Sequence, residues 1–143
     1  MLRSLDPNLT YAGADVGAVL ALSFAQSSVI YGAYLGAIHG ALICEAEGLR
    51  VDEFGSSLTR IWPGIRATVE EMCERIQAER YDDSQASVLA WADAAEHLLQ
   101  QAHDSEINAE FPTFVARIHR KAVKAGLGSE DWAALIKSNR LIS

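Results

Sequence analysis

Four hydroxyl-bearing side chains recur at helical spacing in a largely apolar stretch: Ser23, Ser27, Tyr31 and Tyr34. Their spacings of four, four and three place them on one stripe of a helix. Hydroxyls there can donate and accept hydrogen bonds, and a phenol can also supply a proton. Polar groups along an apolar helix must find partners or water. Two arrangements would satisfy them: a wet groove able to hold a substrate, or hydrogen bonds to a second helix inside a dimer. The residue types alone leave both open.

Little else in the chain has the pattern of a site. The glycines form neither GxGxxG nor a phosphate-binding loop. His39, His97, His103 and His119 have no partners at metal-ligand spacing, so structural or solvent roles are expected and no metal. Asp82 and Asp83 read as a turn and a cap. Cys44 and Cys73 also lack metal spacing and read as reduced, structural thiols, as in a reducing compartment. The opening MLRSLDPNLT lacks the layout of a secretory signal, and a cytoplasmic protein is expected.

The formal net charge is −7, which argues against nucleic acid or an anionic membrane surface as partner. Arg117, Arg120, Lys121 and Lys124 make a short basic cluster that a solvated helix face explains.

The element that must carry the polar stripe runs from Asp15 to Glu47. It contains no proline, and no charged side chain lies between Asp15 and Glu45. Gly32, Gly36 and Gly40 recur every fourth residue. Asp15 is suited to cap the helix and Gly48 to end it at C′. Such a helix would be roughly 50 Å long at about 1.5 Å per residue. A compact domain of this chain length is about 35–40 Å across. The helix therefore needs cover from outside its own chain.

A bilayer is one conceivable cover, because the uncharged run exceeds the roughly 20 residues a span requires and small-xxx-small spacing occurs in membranes. Ser23, Gln26, Ser27, Ser28, Tyr31, Tyr34 and His39 make it too polar, and no lysine or arginine flanks it. A packed helix of a soluble protein is expected.

Downstream, Val51–Phe54 opens a second helix, and Pro63 is expected to break it and restart another through Ile65, Val69, Met72, Cys73 and Ile76. Asp83 or Ser84 should cap the next helix, with Val88, Trp91, Ala95, Leu98 and Leu99 as its core stripe. Ile107–Pro112 breaks the chain. The following helix should bury Phe114, Val115, Ile118 and Val123 and end at Gly126 and Gly128. A short last helix starts near Asp131 and reaches about Lys137. No strand pattern appears. The expected fold is all-α: an irregular lead-in over 1–14, then a helical domain over 15–143, with the long helix followed by about five shorter ones.

Several pieces in order carry a family resemblance. They are Gly13-Ala-Asp15-Val-Gly17, Tyr31-Gly32, Gly36-Ala-Ile-His39 and Glu45-Ala-Glu47-Gly48-Leu with Asp52-Glu53-Phe54. Further on come Tyr81-Asp82-Asp83-Ser84-Gln85-Ala86-Ser87, Ile107-Asn108-Ala-Glu-Phe111-Pro112 and the run from Ala125 to Lys137. From about Thr10 to Lys137 the chain resembles the C-terminal helical domain of NADPH-dependent imine reductases and reductive aminases, relatives of the 3-hydroxyisobutyrate and 6-phosphogluconate dehydrogenases.

The resemblance implies NADPH held by a Rossmann domain that would lie upstream of Met1 and is absent from this sequence. It implies an intertwined homodimer that swaps its long helices, with each active site between one subunit's Rossmann domain and the other's helical domain. The substrate would be a small imine, amine or carbonyl compound. Residue by residue, the family's proton-donor or anchor position falls on Ser23, a departure from its usual Asp or Tyr. Tyr31 matches a pocket tyrosine and Gln85 a pocket glutamine at a helix start, and Trp62, not matched to a family position, is a candidate to close the pocket. Tyr34 shares the stripe and is expected to contact substrate. Alone, the chain is expected to be inactive. The alternative is a free-standing helical dimer, an interaction module without catalytic duty, suggested by serine in place of the acid.

Overall fold

Helix α1 spans Val16–Ala46 in the computed structural model, which describes residues 16–84 and 86–140. Its 31 residues make it about 46 Å long. The lead-in over 1–14 and the Asp15 cap lie outside the described residues. Contacts divide the chain into two units, Met1–Ala37 and Ile38–Ser143, with the division inside α1. In the first unit Leu20, Phe24, Val29, Tyr31, Tyr34 and Leu35 are all exposed. By length and hydropathy α1 is the one helix among the described residues that could cross a membrane.

The second unit contains the end of α1, then α2 (Val51–Gln77), α3 (Val88–Asp104) and α4 (Glu110–Lys124), a 3-10 turn at Trp132–Ala134, and α5 (Leu135–Asn139). The described residues form no strand, only an isolated antiparallel bridge between Ser87 and Asp131. The all-α expectation holds.

Four helices end in one motif. The amide of the second residue beyond the cap bonds back five residues, as in Leu49 N to Cys44 O, Arg80 N to Arg75 O, Ile107 N to Ala102 O and Leu127 N to Ala122 O. The motif needs a left-handed residue at C′. Gly48 and Gly126 supply it for α1 and α4, as expected, while Glu79 and Glu106 adopt it, at φ 51° and 53°, after α2 and α3.

Two expectations about helix ends are corrected. Pro63 does not end a helix: α2 runs through it to Gln77. The missing N–H leaves the Thr59 carbonyl without its helical donor, but this middle segment is exposed, so water can serve. Both ends of α2 are held, by Phe54 against Gly40 and by Met72 and Ile76 against the core. Neither Asp83 nor Ser84 caps α3; Ser87 does, its Oγ accepting from Ala90 N at 3.2 Å.

The buried stripes also differ from those expected. On α3 the buried residues are Val88, Ala92, Ala95 and Ala102, and on α4 they are Pro112, Ala116, His119 and Ala122. Trp91 and Phe114 are exposed. Leu98, Leu99, Val115, Ile118 and Val123 are half-buried flanks. Alanines at the contact let helix backbones approach closely, so the larger residues border the seam. The core centres on Tyr81, Val88, Ala122, Ala133 and Ala134.

Candidate functional site

The hydroxyl stripe forms on α1 within the first unit. Ser23 Oγ donates to Val19 O at 3.0 Å and Ser27 Oγ to Ser23 O at 2.9 Å, both half-buried. Each hydroxyl proton is thus engaged with the helix's own carbonyls. The oxygen lone pairs remain, so Ser23 offers an acceptor to an N–H group rather than a donor. One and two turns beyond Ser27, Tyr31 and Tyr34 project outward with 69% and 66% of their surface exposed. These two exposed phenols are the stripe's proton-bearing groups not already bonded to the helix's own carbonyls.

Trp62 stands on α2 in the second unit, 47% exposed, where it lines a hollow of about 680 Å³ with Thr59, Pro63, Arg66, Ala67 and Glu70. Arg66 Nε donates to Glu70 Oε1 at 2.8 Å, which raises the guanidinium pKa further above its usual range. Gln85 lies outside the described residues.

Sequence reasoning missed a polar hub at Arg75. Its guanidinium donates to Glu71 Oε1 at 2.9 Å and to the Asp82 carbonyl at 2.9 Å, and it approaches Asp131 Oδ2 at 3.9 Å. The α2 side chain thereby pins the loop that enters α3. Asp131 N donates to Tyr81 O, and Asp131 Oδ1 accepts from Ala133 N, which ties the same loop to the last helical turns. Beside the hub, a pocket of about 210 Å³ is lined by Thr68, Met72, Trp91 and Trp132 among others. Only the tertiary fold brings residue 75 to residue 131, and no spacing rule signals it.

Two of the four histidines, His39 and His119, have structural settings, while His97 and His103 are exposed. His119 accepts from Trp132 Nε1 and pairs with the Val115 carbonyl through Nδ1, while His39 is buried against Phe111. Among the described residues no group of three His, Cys, Asp or Glu could hold a metal ion.

The architecture defines an all-helical domain led by one long, exposed apolar helix. Over residues 15–140 the sequence matches the family described as NADPH-dependent reductive aminase-like, C-terminal domain, and the chain belongs to that family. No curated protein matches the sequence. Among solved structures, an imine reductase from Myxococcus stipitatus in complex with NADP+ is 27% identical at a TM-score of 0.84, over 92% of this chain and 49% of its own. The V8 variant of the Myxococcus stipitatus enzyme, in complex with NAD+, is 27% identical at 0.83, over 92% and 47%. A reductive aminase from Aspergillus terreus, in complex with NADPH4, cyclohexanone and allyl amine, shares the fold at 0.84 with 22% identity, over 92% and 46%. The chain spans a little less than half the length of each.

Proposed function

We propose that this chain is the dimer-forming, substrate-facing half of an NADPH-dependent oxidoreductase that reduces C=N bonds. Support comes from the family match across nearly the whole sequence, joined to the exposed apolar length of α1. That surface suits a second copy better than a bilayer, because Ser23, Gln26, Ser27 and Ser28 interrupt it. In the reading, paired copies swap their long helices, and a Rossmann domain beyond this sequence holds NADPH, which supplies the hydride.

This chain's residues orient the acceptor. Ser23 takes an N–H of the amine or iminium on its free lone pairs, Tyr31 holds the proton source, and Tyr34 borders the substrate. Serine cannot anchor a cation by charge as a carboxylate does, so recognition would rest on hydrogen bonding and shape. The protein is read as cytoplasmic.

The test is to join the chain to the cofactor domain of an imine reductase and assay cyclic imines with NADPH. Tyr31→Phe should lower kcat about 10²-fold, the typical worth of a positioned acid. Sedimentation should find the isolated chain dimeric and unable to oxidise NADPH. A stable monomer, or turnover by the isolated chain, would contradict the reading. The second reading, a dimer module without chemistry, is favoured by the Ser23 proton being engaged at Val19; it predicts a folded fusion inert to every imine.

A further inference from the structure

The chain's negative charge is interrupted on one face of α4. At about 100° per residue, Phe114, Arg117, Lys121 and Lys124 fall within one arc of the helix, opposite buried Ala116, His119 and Ala122. All four side chains are exposed. Arg117, Lys121 and Lys124 make no ion pair among the described residues. Arg120 on the same helix is neutralised by both carboxylate oxygens of Glu96 on α3. Arg117 instead lies over the Phe114 ring, 5.4 Å from its centroid. At the N-terminal end of the stripe, Ala109, Glu110, Thr113, Phe114 and Arg117 line a hollow of about 460 Å³.

We propose that this face docks an acidic segment of a partner protein, with an apolar side chain in the hollow at Phe114 and carboxylates on Arg117, Lys121 and Lys124. The stripe extends about 15 Å from Phe114 to Lys124, two to three helical turns of a bound segment. Glu110 sits at the helix start, where the macrodipole favours it, and orients the partner by repelling carboxylates from that end. A single exposed aromatic offers too little apolar area for a lipid surface, and a hollow beside Phe114 suits an apolar side chain rather than a phosphate backbone. At physiological ionic strength the Debye length is about 8 Å, so the partner senses the local cations more than the distant negative charge. This inference does not depend on the oxidoreductase reading.

The test uses the whole chain and a fluorescein-labelled leucine–oligoglutamate peptide, followed by polarisation. Saturable binding is expected, weakened at least about fivefold between 0.15 and 0.5 M salt. The Arg117→Glu/Lys121→Glu/Lys124→Glu variant should lose about tenfold or more in affinity, with its helical circular dichroism retained. Phe114→Ala should weaken binding less, and Arg140→Glu, an exposed cation elsewhere, should leave it unchanged. Absence of saturable binding would overturn the proposal. So would equal losses in Arg140→Glu and the triple variant, or tighter binding to anionic vesicles or DNA than to the peptide. If the triple variant unfolds, the single Lys121→Glu substitution carries the same comparison.

Discussion

The indole Nε1–H of Trp132 donates to Nε2 of His119 across 2.9 Å, and the far side of that imidazole meets the Val115 carbonyl at 2.8 Å. Since Nε2 accepts, the ring proton sits on Nδ1 and points to Val115. Trp132 also stacks on Trp91, with centroids 4.6 Å apart. Trp132→Phe keeps an aromatic surface but leaves a buried acceptor without its donor. A loss of about 1–3 kcal/mol is expected from urea unfolding, with Trp91→Phe costing less. Equal losses in the two variants would show that stacking, rather than the hydrogen bond, matters.

Gly40 and Gly32 lie on the same small-residue row of α1 but differ in surroundings. A Cβ on Gly40 would come within 2.5 Å of the Phe54 ring, whereas one on Gly32 meets nothing within 4 Å. Gly40→Ala should therefore displace the Phe54 ring and destabilise by about 1–3 kcal/mol, the usual range for overpacking. Gly32→Ala should raise helix stability by up to about 1 kcal/mol in a monomer, yet weaken association if a second copy crosses there. Concentration-dependent melting of both variants separates these effects; a Gly32→Ala dimer as tight as the parent would place the crossing elsewhere.

Glu79 and Glu106 occupy left-handed C′ positions that Gly48 and Gly126 fill elsewhere. A left-handed backbone costs a side-chain-bearing residue about 1–2 kcal/mol. Replacing either glutamate with glycine recovers part of this, less the added entropy of the unfolded chain. Each substitution should raise the melting temperature by a few degrees, and Gly48→Ala should lower it. Unchanged melting in both glutamate variants would show that these residues compensate for their backbone geometry in another way.

His39 gives the fold a pH dependence. Its imidazole is buried, Nε2 has no partner among the described residues, and burial pushes its pKa below the usual value. The unfolded chain thus takes up the proton more readily, at about pH 6.5. His39's contribution to stability is fully present above that pH and is lost as pH falls below it. His39→Leu should flatten stability between about pH 5 and 7. Glu96, held below the usual carboxylate range by its hydrogen bond to Arg120, acts only at more acid pH, where protonating it removes its contribution. A slope that survives in His39→Leu would place the titration on another group.

The order of residues by itself determined the long helix, its glycine stop and the all-α class. Each follows from local chemistry: uninterrupted apolar residues, a left-handed C′ site, and no alternating pattern. It also placed Ser23, Ser27, Tyr31 and Tyr34 on one stripe, because helical periodicity is fixed wherever the helix forms.

Tertiary structure decided which residues face inward. Trp91 and Phe114 fell on the expected core stripes, but the buried faces of α3 and α4 are rich in alanine, and Trp91 instead stacks on Trp132 while Phe114 stays exposed. It also decided that α2 continues through Pro63, since contacts at both ends outweigh one missing hydrogen bond. The Arg75–Asp131 approach and the Trp132–His119 bond join residues distant in the chain. Such pairings exist only after packing brings their helices together, and no local pattern encodes them.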